Sequence, residues 1–288
     1  PEVGCVLVLN VPEHGVVCAR DADGWLPVVA LSPPRKQWGF AAAGRTAAME
    51  ASVLGELLPR ARRREQPAVE FPTSDRAMSY LDFFTNAYKS GNVLRFLGVR
   101  ASATVAIEAT PVPEPFLAFL GAAQLGAQAT FEPTAEARVR LVPVEHETDY
   151  DPATGTKLAV YGGPPESPAT THWEQEVWSE NPGFPETEVD PDSTVLLADS
   201  EGYSHRELLA AAEDVISTLA LGGDSRLAIR VSLSTPAAIV GLVAALAAEA
   251  TAILVGETDR AVEADAALVA AGATAPESVA VAADSVEL

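Results

Sequence analysis

Lysine is almost missing from this 288-residue chain, which contains only Lys36, Lys89 and Lys157. With 19 lysines and arginines against 40 aspartates and glutamates, the formal net charge is −21. Because so negative a surface repels phosphate backbones and anionic lipid, the composition argues against nucleic-acid binding and membrane-surface binding. Small molecules or proteins are the expected partners. The acids are scattered along the chain, which we interpret as the adaptation of a cytoplasmic protein to high salt.

Cysteine is nearly as rare, and both cysteines, Cys5 and Cys18, lie close to the N-terminus. The later residues can hold neither a disulfide framework nor a thiolate metal site, which fits a reducing cytosol. No secretory signal is expected, since no basic start precedes a long apolar run. The longest apolar stretch runs from Ala237 to Val255, contains Glu249 and ends in β-favouring residues. It predicts a buried helix and then a buried strand in place of a membrane span.

Residues 1–48 differ in composition from the residues that follow. They contain four acids and four bases, so the whole negative charge belongs to the later chain. This shift favours a start codon assigned too early, with Met49 as the first residue of the genuine protein. The alternative is a real extension, in which residues 6–9 and 28–31 form the strands of a β-hairpin.

Two segments repeat one order of elements at a spacing of roughly 123 residues. Each has a tyrosine before an amphipathic helix, then a short apolar strand, then a proline that begins a second helix. The tyrosines are Tyr80 and Tyr203, and the prolines are Pro113 and Pro236. Alternating helices and strands that are apolar on both faces predict parallel sheets covered by helices.

The sequence therefore predicts an α/β fold with two similar parallel-sheet units, residues 49–141 and 193–288. Residues 142–192, rich in proline, glycine and acids, are predicted to connect them. A long ordered loop at a domain junction is a candidate binding segment. The alternative, which we favour, is that Trp173 and Trp178 pin this connection to the core.

The first repeat resembles the N-terminal region of the AMP-dependent synthetases and acyl-CoA ligases. The resemblance lies in the order and spacing of 79–82, Gly98-Val99, the strand 105–107, and a helix from Pro113-Glu114 to Gly126-Ala127. In the second repeat, 192–200 resembles that family's strand leading into its phosphate loop, and Ser204-His205-Arg206 resembles the start of the helix beyond. The resemblance covers about residues 50–260. It implies the N-terminal part of the acyl-adenylating fold without a C-terminal lid domain.

The phosphate loop itself has no counterpart in this sequence. In the family, a loop rich in serine, threonine and glycine, with a lysine, cradles the ATP phosphates with backbone N–H groups. Here only Glu201 and Gly202 separate Ser200 from Tyr203. Glu201 also places a negative charge where the triphosphate would approach, and like charges about 4 Å apart repel by roughly 4 kcal/mol at an effective dielectric constant near 20. The remnant of this position gives the candidate cofactor-binding residues Ser200, Glu201, Gly202, Tyr203 and His205.

The resemblance assigns no residue here to the family's adenine-binding segment, ribose-binding aspartate or catalytic lysine. We therefore expect no catalytic residue, no metal and no cofactor, and we predict a non-catalytic binding or regulatory protein. One alternative is a divergent AMP-forming acyl-CoA ligase, which would use ATP, AMP and CoA. The other is an assembly partner of a complete synthetase, docking through an exposed sheet edge.

Other chemistry finds little support in the sequence. His14, His146, His172 and His205 lack partners at metal-ligand spacing, and His205 is predicted to begin a helix. Residues 154–157 read Thr-Gly-Thr-Lys, but they precede a predicted strand, whereas phosphate loops follow one.

Overall fold

A computed structural model describes residues 5–7, 18–21, 24–27, 51–57, 65–150, 155–183, 187–258 and 260–269. Short 3₁₀ helices cover Leu54–Leu57 and Val144–Asp149. The strands and α-helices, in chain order, are β1 Cys5–Leu7, β2 Cys18–Asp21, β3 Gly24–Pro27, β4 Pro67–Phe71, β5 Arg76–Ser79, α1 Tyr80–Phe96, β6 Thr104–Ile107, α2 Pro113–Gln124, β7 Gln128–Thr130, β8 Val139–Pro143, β9 Lys157–Tyr161, β10 Thr171–His172, α3 Trp173–Ser179, β11 Thr194–Ala198, β12 Glu201–Ser204, α4 His205–Leu219, β13 Arg226–Arg230, α5 Pro236–Ala247, β14 Thr251–Leu254 and β15 Ala266–Val269.

The predicted repeat is present in the order of the elements. The series β5, α1, β6, α2, β7 is followed later in the chain by β12, α4, β13, α5, β14. Pro113 and Pro236 are the first residues of α2 and α5, where proline's missing N–H costs no hydrogen bond. The α/β fold class predicted from the sequence is confirmed.

Tyr80 and Tyr203, which match in the sequence repeat, do not occupy equivalent positions in the structure. Tyr80 is the first residue of α1, whereas Tyr203 lies in β12 and α4 begins at His205. The equivalent positions are the serines that precede the helices, because a helix begins where a side chain can accept its free N–H groups. Ser79 accepts the Asp82 N–H at 3.1 Å, and Ser204 accepts the Glu207 N–H at 3.2 Å.

One compact unit consists of Ala51–Glu65 and Met78–Leu209. Its seven-stranded sheet has the order β10-β9-β8-β6-β7-β11-β12, and only the β11–β12 pair is antiparallel. Helix α2 is buried along its whole length. It packs so closely on α1 that a Cβ atom on Gly121 would lie 2.6 Å from the Gly91 nitrogen. Glycine at this contact lets the two helix backbones meet.

The other unit consists of Pro1–Glu50, Gln66–Ala77 and Ala210–Leu288. Its eight-stranded sheet has the order β3-β2-β1-β15-β13-β14-β4-β5. Strand β1 pairs antiparallel with β2 and parallel with β15. The hairpin considered for the N-terminus placed its strands at 6–9 and 28–31; residues 8, 9 and 28–31 lie outside the described residues, as does Met49.

These units differ from the linear division expected from the sequence. Strand β11 pairs with β7 of the first repeat, and β4 pairs with β14 of the second. The sheet therefore continues, beyond the last strand of each repeat, with strands that precede the first helix of the other repeat. Backbone groups of that last strand, which a free sheet edge would expose, are thereby hydrogen-bonded. The stretch 142–192 also supplies β9 and β10 to a sheet, so it is more than a connection.

Two further predictions concern residues 142–192 and the long apolar run from Ala237 to Val255. Trp173 is buried and anchors α3, as proposed, but Trp178 is 82% exposed and pins nothing to the core. The run from Ala237 to Val255 forms helix α5 and then the buried strand β14, as predicted. Within the described residues, no helix combines the length and apolar character needed to cross a membrane.

Candidate functional site

The position of the expected phosphate loop is occupied by a tight β-hairpin. Strands β11 and β12 are antiparallel, with Ala198 opposite Glu201 and Leu197 opposite Gly202. The two residues between them, Asp199 and Ser200, have φ angles of +50° and +66°. Two successive residues with positive φ are what a type I′ hairpin turn requires. No loop of the kind that wraps phosphates fits between these strands.

This arrangement differs from the sequence-based expectation of a strand that passes through a short loop into a helix. Ser200 lies in the hairpin turn, Glu201 to Tyr203 lie in β12, and His205 begins α4. The sequence did not predict β12. The backbone groups of β12 that face β11 are used in the ladder, so they are not free to receive a ligand.

Gly202 is the tightest point of the hairpin. A Cβ atom on this residue would lie 3.0 Å from Cγ2 and 3.1 Å from Oγ1 of Thr194 on the neighbouring strand. Glycine here therefore serves the packing of two strands and does not open space for a ligand.

The N-terminus of α4 is closed by its own residues. The Ser204 hydroxyl accepts the Glu207 N–H, while Glu207 Oε2 accepts the Ser204 N–H at 2.8 Å and the Ser204 hydroxyl at 2.8 Å. This reciprocal capping box uses the Ser204 and Glu207 N–H groups, and the Arg206 N–H donates to the Pro191 carbonyl at 3.0 Å, so these three groups are not available to an anion. It also places a carboxylate at the positive end of the helix dipole, where a phosphate would otherwise be favoured.

The surrounding charges are negative. The pKa of Tyr203 is raised by burial, and further by the charges of Glu201 and Asp199. Arg206 is the nearby cation, but it forms a two-bond ion pair with Asp192, at 2.6 and 3.1 Å. Such a field disfavours a triphosphate, in agreement with the charge argument made from the sequence.

His205 is fully buried and has a structural contact. Its Nδ1 accepts the Leu54 N–H at 3.2 Å, which joins the 3₁₀ helix to the start of α4. Burial lowers its pKa to about 4, against a smaller opposing effect of the Asp190 charge. The imidazole is therefore neutral near pH 7. The prediction that His205 begins a helix is confirmed.

A second polar group lies at the carboxyl ends of β6, β8 and β9, and sequence reasoning missed it. His146 Nδ1 is 2.7 Å from Glu108 Oε1. The Tyr161 hydroxyl is 2.9 Å from Thr110 Oγ1 and donates to the Glu108 carbonyl at 2.8 Å. Burial raises the pKa of Tyr161, so its proton is firmly held. The only available signal was that each residue lies at or soon after the end of an apolar strand.

Two clefts lie elsewhere, one in each compact unit. One, with a volume of about 530 Å³, lies beside β8 and β9 and includes Arg138, Arg140 and Tyr150. The other, of about 290 Å³, includes the ion pair of Arg226 with Glu70. Neither contains a residue of the β11–β12 hairpin. In the described part of the chain, no three histidine, cysteine, aspartate or glutamate side chains are placed to hold a metal ion.

Comparison with known proteins assigns the fold. No family model and no curated protein matches the sequence. Among solved structures, the anthranilate CoA ligase AuaEII in complex with anthranoyl-AMP is 20% identical with a TM-score of 0.63, and the match covers 70% of this chain and 44% of that one. Apo MatB from Rhodopseudomonas palustris is 13% identical with a TM-score of 0.60, covering 71% and 45%.

A third similar structure is the long-chain-fatty-acid-CoA ligase FadD1 from Archaeoglobus fulgidus, 17% identical with a TM-score of 0.59, covering 71% of this chain and 47% of that one. The chain therefore has the acyl-adenylating fold of AMP-dependent acyl-CoA and aryl-CoA ligases, as the sequence resemblance implied. It spans about half the length of these solved enzymes.

Proposed function

We propose that this protein is a non-catalytic relative of the acyl-adenylating enzymes and acts as a binding or regulatory module. The observation that supports this is the hairpin turn at Asp199 and Ser200, which replaces a phosphate loop inside a fold otherwise like that of the ligases. The replacement lies inside the chain, between two paired strands.

Three physical features act together against ATP. The N–H groups of β12 that face β11 are used in the ladder, and at the start of α4 the N–H groups of Ser204, Arg206 and Glu207 are hydrogen-bonded within the protein. A triphosphate would also meet the charges of Asp199, Glu201 and Glu207. Removing charge alone would therefore not create a site, because the donors that bind phosphate are already engaged.

The alternative is a divergent AMP-forming acyl-CoA ligase, with which the fold is compatible. It requires ATP to bind in spite of the hairpin. The two hypotheses differ in one measurable reaction, the ATP–pyrophosphate exchange that acyl adenylation produces.

The test measures this exchange with Mg²⁺ and a panel of acetate, longer fatty acids and aromatic acids, alongside calorimetric titration with ATP. We expect no exchange above the rate without protein and no ATP binding. The double variant Asp199→Asn, Glu201→Gln should behave in the same way, and Glu132→Gln, an exposed acid elsewhere, serves as its control. Acid-dependent exchange by the unmodified protein would refute the proposal.

A further inference from the structure

The cleft beside β8 and β9 contains two arginines, Arg138 and Arg140, that form no ion pair with a carboxylate of the described residues. Arg140 lies in β8 and Arg138 immediately precedes this strand, and both side chains line the cleft. Two other arginines of the described residues are paired instead. Arg206 and Arg226 both form ion pairs with carboxylates.

Arg140 is held in place by neutral groups. Its guanidinium donates to the Pro133 carbonyl and, at 3.0 Å, to the Ala135 carbonyl. The guanidinium carbon lies 4.7 Å from the centre of the Tyr150 ring. These contacts fix its orientation without cancelling its charge, which is how a binding arginine is preorganised.

Arg138 is seated against the backbone at Gly98. A Cβ atom on Gly98 would lie 2.6 Å from Arg138 Nη2 and 2.9 Å from its Nε, and Gly98 has a φ of +93°. Glycine is favoured there by the backbone conformation, and the guanidinium lies against it. Two guanidinium groups that line one cleft offer the planar donors with which oxyanions are bound.

The remaining lining adds acceptors to this pair of cations. Glu136 and Asp149 carry carboxylates, and Thr156 uses its hydroxyl proton on the Ala137 carbonyl at 2.9 Å. Such acceptors suit hydroxyl groups of a ligand. The volume of about 530 Å³ falls within the usual range of small-molecule pockets.

We propose that this cleft binds a small phosphorylated molecule that carries hydroxyl groups, such as a sugar phosphate, with Arg138 and Arg140 on the phosphate. Glu136 and Asp149 accept hydrogen bonds from its hydroxyls. A bare inorganic anion offers no hydroxyl groups to these carboxylates, so it should bind more weakly.

The test is calorimetric titration at constant KCl with ribose 5-phosphate, inorganic phosphate and sulfate. We expect saturable binding of ribose 5-phosphate that is at least tenfold tighter than that of either inorganic anion. Arg138→Gln should weaken this binding at least tenfold. Arg138→Gln is a more specific test than a substitution of Arg140, because Arg138 makes none of the carbonyl contacts that hold Arg140.

Arg95→Gln, at an exposed arginine on α1, removes the same charge away from the cleft and should leave the affinity within twofold. Thermal unfolding of each variant checks that it remains folded. The proposal is overturned if ribose 5-phosphate does not bind, if inorganic anions bind equally well, or if Arg138→Gln and Arg95→Gln have equal effects. None of these outcomes bears on the proposal about the β11–β12 hairpin, since the cleft shares no residue with it.

Discussion

Acidification should destabilise the compact unit that contains His205, and it should do so through this one side chain. The folded protein keeps the imidazole neutral in its buried position, with a pKa of about 4 against 6.5 when unperturbed. Below pH 6.5 the unfolded chain therefore binds a proton that the folded chain does not. Stability is fully present above pH 6.5 and falls as the pH approaches 4.

The size of the effect follows from this difference in pKa. A gap of about 2.5 units corresponds to about 3 kcal/mol once the pH has fallen below both values. Between pH 7.5 and pH 5, where the folded protein still excludes the proton, the loss should be about 2 kcal/mol.

The experiment compares urea unfolding of the unmodified protein and of His205→Gln at pH 7.5 and pH 5 in the same KCl concentration. Glutamine can still accept the Leu54 N–H, but it does not titrate. Fluorescence of Trp173 is a suitable signal, because this buried residue belongs to the same compact unit as His205. The unmodified protein should lose about 2 kcal/mol more than the variant between the two pH values.

Other groups also titrate between pH 7.5 and pH 5. The informative quantity is therefore the difference in pH-dependent stability between the unmodified protein and His205→Gln, and not the pH dependence of either protein alone. Burial raises the pKa of Asp214, for example, which acts in the opposite direction. His146→Gln is the control, since the His146 side chain is 44% exposed, and it should keep most of the pH dependence. Equal pH dependence in the unmodified protein and His205→Gln would refute the assignment of the effect to His205.

Two further variants test the packing and the charge pairing. Gly121→Ala should lower the free energy of unfolding by about 2 kcal/mol, although alanine normally favours a helix, because the new methyl group meets backbone atoms at 2.6 to 3.1 Å. Gly241→Ala in α5 meets only flexible side chains at 3.0 to 3.2 Å and should cost less; equal losses in urea unfolding would contradict this reasoning. Arg226→Gln removes a two-bond pair with Glu70, at 3.0 and 2.8 Å, and should cost about 1 kcal/mol. Arg206→Gln, which breaks an exposed pair, should have little effect in the same assay.

The sequence predicts the regular parts of this fold because their signals are local. Proline at the first turn placed the starts of α2 and α5, and apolar runs placed the central strands. The helix and strand within 237–255 could be separated by composition alone. All of these depend on residues within a turn or two of one another.

The features that the sequence did not predict depend on distant partners. Glu108 and His146 meet because β6 and β8 are neighbours in the sheet, which no spacing in the sequence reveals. The exposure of Trp178 is likewise decided by which face of α3 meets the core. Tryptophan is a sound indicator of burial on average, but it does not say which of two nearby copies is buried.

At the β11–β12 hairpin the chain keeps the fold but lacks the residues of a phosphate loop. A phosphate loop connects a strand to a helix and leaves N–H groups unpaired for the ligand. When only Glu201 and Gly202 remain between Ser200 and Tyr203, the chain has too few residues for such a loop, and the strand turns back on itself at Asp199. The backbone groups of β12 that face β11 then pair across the hairpin, and the α4 cap uses the Ser204 and Glu207 N–H groups. The sheet and helix are kept, whereas the donors that would hold phosphate are used for structure, and this is the physical basis for expecting the fold without the adenylation reaction.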